Sequence, residues 1–157
     1  MMNRSINVIS LKMVKEKEID YDWESAKNPR YVVKIVKDLI GEVDREYIIV
    51  LSLNMKLEPN HIEISGIGTL SEAVIHPREI FKSAILSSSS KIILVHTHPS
   101  GCIKPSAEDI QITDRIRSAG EIIGIPLLDH LIIGSVNNYF SFQEQGYLWL
   151  WKQNIIF

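Results

Sequence analysis

The run Ile92-Ile93-Leu94-Val95 leads directly into His96-Thr97-His98 and then Pro99-Ser100-Gly101, and this junction constrains the fold more than any other stretch. The β-branched, apolar composition is that of a buried strand, and the proline and glycine end it. Side chains at i and i+2 of a strand point to the same side, so His96 and His98 present two imidazoles to one point while Thr97 faces away. Beyond the loop, Pro105-Ser106-Ala107-Glu108-Asp109 reads as a helix start, which places the Asp109 carboxylate in the first turn, facing back over the loop. Two imidazoles and a carboxylate suit a divalent metal. Three protein ligands leave a tetrahedral ion one open position, the arrangement of a catalytic zinc rather than a structural one. Each fragment also has an ordinary reading: a His-x-His pair arises readily by chance, and Ser106-x-x-Asp109 is the pattern of a capping box.

Around this junction the chain alternates helical and strand patterns. Residues 6–22 alternate loosely between apolar and charged positions and read as an early strand or an extended arm, so 1–27 is set apart from 28–157. Tyr31, Val32, Ile35, Val36, Leu39 and Ile40 recur at helical spacing between Pro29, suited to a first turn, and Gly41, suited to a stop. Residues 46–54 read as a buried strand. A turn near Glu58-Pro59-Asn60 and an alternating strand from His61 complete a hairpin. Pro77 opens a second helix with Ile80, Phe81, Ala84 and Ile85 on one face, and the serines from Ser87 to Ser90 form a loop. A long helix follows over Ser106–Ile123, with Ile110, Ile112, Thr113, Ile116 and Ala119 as packing positions and Gly120 and Gly124 as punctuation. Residues 126–134 form another buried strand, Asn137-Asn138 a turn, and Tyr139 to Phe142 a short closing strand. This order implies an α/β sandwich around a mixed central sheet.

A chain of 157 residues with 45% hydrophobic and 23% charged residues buries one ordinary core without disulfides. One cysteine, Cys102, cannot bridge internally, which suits a reducing cytoplasm. The first twenty residues lack the apolar core and cleavage site of a signal peptide, and no segment reaches the length of a membrane span, so a soluble cytoplasmic protein is expected. A net charge of −2 provides no overall basic field of the kind that drives non-specific nucleic-acid binding.

The pattern His-x-His-Pro, a serine separated from His98 by seven residues, then x-x-Asp resembles the metal-binding signature of the JAMM (MPN-type) metalloproteases at every required position. More narrowly, VHTHPSG followed by KPSAEDIQITDRIRSAGEIIGIPLLDHLIIG, with GTLSEAVIHPREIF upstream, resembles the C-terminal domain of the RadC family, a JAMM branch long labelled as DNA-repair proteins. The resemblance runs from about Arg45 to Phe142. It implies a three-layer sandwich of the JAMM and cytidine-deaminase-like type, with zinc held by His96, His98 and Asp109. It also implies a general base supplied by a glutamate on a separate strand. Glu46 fits that place best, with Glu63 and Glu72 as alternatives; Glu63 alternates with Ile62 and Ile64 as a solvent-facing residue does. Ser106, matched to the motif serine, would donate a hydrogen bond to the oxyanion of an attacked carbonyl.

Other residues near the motif carry weaker readings. Cys102 lies between the ligands, but a fourth ligand would close the ion, so it counts as a loop residue. His130, beside Asp129 in an apolar strand, is a satisfied core residue or supports the site from behind. His76 looks like a residue at a helix start. The aromatic tail 145–157 packs on its own sheet or forms a homodimer interface.

The resemblance thus points to a zinc-dependent hydrolase of peptide or isopeptide bonds with a peptide or protein substrate. A RadC-like DNA-repair or nuclease-associated role is the second reading, weakened because the chain has no room for the helix-hairpin-helix region of full-length RadC proteins. A metal-binding interaction scaffold is the third.

Overall fold

The computed structural model describes residues 5–21, 28–68, 75–134 and 138–148. Glu72, Asn137 and the tail beyond Leu148 lie outside the described residues. Residues 5–21 adopt neither helix nor strand, and Lys17 Nζ donates to the Leu39 carbonyl at 3.2 Å. The remaining elements run in the order α1 (Pro29–Ile40), β1 (Tyr47–Leu53), β2 (Pro59–Ile67), α2 (Pro77–Leu86), β3 (Lys91–Thr97), α3 (Ala107–Ile123), β4 (Leu127–Ile133) and β5 (Tyr139–Ser141).

The five strands form one mixed sheet ordered β2-β1-β3-β4-β5. Only β3 and β4 are parallel, and α3 is the crossover between them. The alternation of β3 shows why it reads as an unbroken apolar run: Ile92 and Leu94 join one buried cluster, while Ile93 and Val95 join another on the opposite face. The first cluster includes Ile80, Phe81 and Ala84 of α2 and Ile116 of α3; the second includes Val32, Val33 and Val36 of α1. The fold is therefore a three-layer α/β sandwich, with one helix on one face and two on the other. Each fully buried aliphatic side chain in it contributes about 1.5–3 kcal/mol relative to exposure.

Local chemistry sets the element ends. Asn28 caps α1 by accepting from Arg30 N, and Gly124 ends α3 in the left-handed conformation at φ 79°. The hairpin turn lies earlier than the proline suggests: Asn54 Oδ1 accepts from Lys56 N (2.8 Å) and Glu58 N (3.0 Å), so β2 begins at Pro59. Gly120 does not interrupt α3. It is a point of close approach, since a Cβ there would meet the Ile125 carbonyl oxygen at 2.7 Å. Ile85 is 54% exposed, because α2 turns its Ile80, Phe81 and Ala84 face inward and ends one residue later. Glu63 is half-buried rather than solvent-facing, and Ile64 is 40% exposed. Glu63 lies opposite Val50, a member of the cluster that α2 covers, whereas the single helix on the other face leaves Ile64 open.

Candidate metal centre

The site forms where β3 ends, α3 begins and the chain enters β1. His96 pairs with Ile48 in the sheet, and its row with Ile92 and Leu94 faces α3. It is completely buried. Thr97 faces the other way, and its hydroxyl accepts from Tyr47 N at 2.8 Å and donates to the Arg45 carbonyl at 3.4 Å. That clasp pins the backbone on both sides of Glu46 and sets the carboxylate against the end of β3. Glu46 Oε2 lies 3.5 Å from His96 Nε2.

Hydrogen bonding fixes the tautomers of both histidines. His96 Nδ1 is 3.1 Å from Asp109 Oδ1, and His98 Nδ1 is 2.6 Å from the Cys102 carbonyl oxygen. A carboxylate and a carbonyl can only accept, so each imidazole carries a proton on Nδ1 and, as the neutral ring, presents a bare Nε2. The His96 Nε2 is buried without a hydrogen-bond partner, an orphan acceptor in a site otherwise well satisfied. His98 Nε2 lies 3.8 Å from Asp109 Oδ2, and the two rings meet edge to face with centroids 4.5 Å apart. Ligand atoms of Glu46, His96 and His98 all fall within 4.8 Å of one another, so this group could hold a metal ion. Two bare nitrogens and a carboxylate oxygen suit a borderline divalent cation.

Asp109 is fully buried in the first turn of α3. Its Oδ2 accepts from Ser106 N and from Ser106 Oγ, each at 2.7 Å, while Asp109 N donates to Ser106 Oγ at 3.1 Å. Burial alone would raise this carboxyl's pKa, but the hydrogen bonds from His96 and Ser106 outweigh it and hold the group well below the usual carboxylate range. Ser106 is thus the N-cap of α3 as well as a hydrogen-bond partner of the carboxylate that reaches both histidines. The structure brings Glu46, His96, His98, Ser106 and Asp109 together. Glu63 stays on the edge strand, opposite Val50 and outside that group.

Two supports were not readable from side-chain types. The carbonyl that orients His98 is a backbone atom of Cys102, and Thr97 acts through backbone on a neighbouring strand. Behind the site, Thr113 and His130 are also buried. Desolvation, reinforced by repulsion from His96, lowers the His130 pKa to about 3, and desolvation raises that of Asp129 to about 6 against the hydrogen bond from Ser141.

Fold and site together define a three-layer α/β domain with a candidate divalent-metal centre at the carboxyl ends of its parallel strands. The RadC-like JAB domain profile matches residues 26–147 of this chain. A UPF0758 protein of Rubrobacter xylanophilus is 44% identical over 121 residues, covering 77% of this chain and 52% of the relative. One from Desulforamulus reducens is 48% identical over 118 residues, 75% of this chain and 52% of its own length. One from Geobacillus thermodenitrificans is 42% identical over 132 residues, 80% of this chain and 58% of its own. The chain belongs to the RadC-like JAB domain family, and it spans about half the length of these curated relatives. Among the described residues, no helix is long and apolar enough to cross a membrane.

Proposed function

We propose that this domain is a zinc-dependent hydrolase of the JAMM metallopeptidase type, acting on peptide or isopeptide bonds, with His96, His98 and Asp109 holding the ion. The observation that carries this reading is the pair of imidazoles whose Nδ1 atoms are committed to acceptors, leaving two Nε2 atoms beside Glu46 for an ion; Asp109 enters as the third ligand from the signature, its Oδ2 lying 3.8 Å from His98 Nε2. A zinc ion held there supplies a Lewis acid and a water acidic enough to ionise near neutral pH. Glu46 is half-buried, with the backbone on either side of it held by Thr97, and so is positioned to accept the proton of the attacking water and deliver it to the leaving nitrogen. Ser106 donates its hydroxyl to the developing oxyanion, turning from Asp109 Oδ2 as the substrate carbonyl arrives.

A peptide or protein is the substrate class this reading favours. The net charge of −2 offers little to a phosphate backbone, and the exposed thiol of Cys102 suits a cytoplasmic location.

The test is metal analysis and chelator-sensitive peptidase activity of the wild type beside Glu46→Gln and Asp109→Asn. Glu46→Gln is expected to keep the metal and lose about 10²–10⁴-fold in turnover; Asp109→Asn is expected to lose the metal. The opposite pattern would make Glu46 the third ligand and Asp109 the carboxylate that orients His96. Absence of any bound transition metal in the wild type would overturn the reading. Tight, salt-sensitive DNA binding by the chain would move the nucleic-acid role to first place.

A further inference from the structure

Behind Asp109, the Thr113 hydroxyl lies 2.6 Å from the Asp109 carbonyl oxygen and 2.7 Å from His130 Nδ1. All three residues are at most 2% exposed. Thr113 has one hydroxyl proton, and the carbonyl can only accept, so that proton goes to Asp109 O. His130 Nδ1 must then be a donor to Thr113 Oγ1. The direction of the chain is forced: His130 Nδ1–H to Thr113, Thr113 O–H to the Asp109 backbone.

His130 is itself immobilised. Its backbone N donates to Asp129 Oδ1 at 2.7 Å, its carbonyl accepts from Phe142 N at 3.0 Å, and its ring stacks on Phe142 with centroids 4.8 Å apart. Its Nε2 is buried without a partner, so an apolar ring would fill the space without leaving an acceptor unsatisfied. What the imidazole provides here is the Nδ1 proton. The tie runs from β4 to the first turn of α3, while His96 sits on β3, the hydrogen-bonded neighbour of β4. It therefore fixes the position of the Asp109 carboxylate relative to the two histidines.

We infer that Thr113 and His130 are positioning residues that hold Asp109 in register with His96 and His98. The inference rests on the reading of Asp109 as a metal ligand. It is tested by zinc affinity, measured by competition with a chromogenic chelator, and by thermal unfolding of the metal-free protein. Wild type, Thr113→Ser, Thr113→Val, His130→Asn and His130→Gln are compared.

Thr113→Ser keeps the hydroxyl and is expected to bind zinc like the wild type, whereas Thr113→Val is expected to lose about 10–100-fold in affinity. His130→Asn places an amide N–H where Nδ1–H stands and is expected to retain most of the affinity; His130→Gln reaches toward the Nε2 position instead and is expected to lose it. Equal affinity in Thr113→Val and wild type overturns the inference, as does a loss accounted for by the fall in metal-free stability. If Thr113→Val does not fold, the Asn and Gln pair decides, and equal binding by those two overturns it. A wild type that binds no zinc refutes the functional reading instead, which keeps the two failures apart.

Discussion

Two buried regions of this molecule hold similar side chains and use them differently. One is the crown at the end of β3, with Glu46, His96, His98, Ser106 and Asp109. The other is the seam on the inner face of β1 and β2, with Ser52, His61, Glu63 and Ser65, where each residue has a side-chain atom buried without a hydrogen-bond partner. His61 and Glu63 stand at the same i, i+2 spacing as His96 and His98, and His61 pairs across the sheet with Ser52. Among the described residues, only the Glu46, His96 and His98 group brings three ligand atoms within 4.8 Å. The difference is what comes to meet the pair. At the crown, β3 stops, and the start of β1 and the first turn of α3 approach from other directions. Along the seam, Ser52, His61 and Glu63 project side by side from one sheet surface, where i and i+2 positions stay about 6.6 Å apart. Convergence of elements, not residue type or spacing, makes the candidate site.

The largest expected contrast is in metal binding. His96→Ala or His98→Ala should abolish binding of a stoichiometric zinc, because two remaining ligands cannot hold the ion against solvent, whereas His61→Ala should leave it intact. The metal-to-protein ratio of each purified variant measures this, and loss of metal in His61→Ala would erase the distinction.

A smaller effect is expected from the loop that closes the crown. A Cβ on Gly134 would meet the Gly101 carbonyl oxygen at 2.6 Å and Ile103 Cγ2 at 2.9 Å. Gly134→Ala must push away the loop whose Cys102 carbonyl orients His98. We expect a stability loss of about 1–3 kcal/mol in thermal or urea unfolding, with weaker zinc binding in chelator competition. Unchanged values for both would show that the loop does not tune the crown.

The seam should reveal itself through pH instead. Desolvation holds the His61 pKa below its ordinary 6.5, outweighing the opposite pull of Glu63. The folded state therefore keeps His61 neutral while the unfolded chain takes up a proton. The stability this provides is fully present above pH 6.5 and is lost as pH falls through the lowered folded value. Urea unfolding from pH 7.5 down to about pH 5 should show a steeper loss for wild type than for His61→Gln; parallel curves would remove His61 as the cause.

The smallest expected effect is on catalysis from the seam. Glu63→Gln should leave turnover within about twofold of wild type, set against the large loss expected for Glu46→Gln. A Glu63→Gln variant that binds zinc but does not turn over would transfer the base to the edge strand.

The local pattern carried much of the fold. The apolar periodicity and caps placed α1 between Asn28 and Gly41, and the β-branched runs marked β1, β3 and β4, because a strand buried on both faces has nearly no polar positions to obscure it. Where two reasons for the same residue compete, the sequence misled. Pro59 suggested the turn that Asn54 makes, Gly120 suggested a stop where another backbone passes close, and Glu63 suggested solvent where α2 covers its row. The turn is decided within its own loop, whereas a Cβ at Gly120 would meet Phe81 of α2 at 3.2 Å and Glu63 lies opposite Val50 of β1.

The site divides in the same way. His96, His98 and the Ser106-x-x-Asp109 turn are local in sequence, so strand alternation and helix capping bring them near one another within a single β3–α3 unit. The placement of Glu46 beside His96 depends on an antiparallel pairing across some fifty residues and on a threonine that points away from the candidate metal centre. The tautomer of the two neutral imidazoles depends on the Asp109 carboxylate and the Cys102 backbone carbonyl. The sequence by itself determined which candidate ligands lie at the end of β3 and that His96 and His98 face one side. Only the tertiary structure decided which nitrogen each imidazole leaves bare and which carboxylate stands opposite, because both are set by hydrogen bonds between groups that meet only when the elements pack.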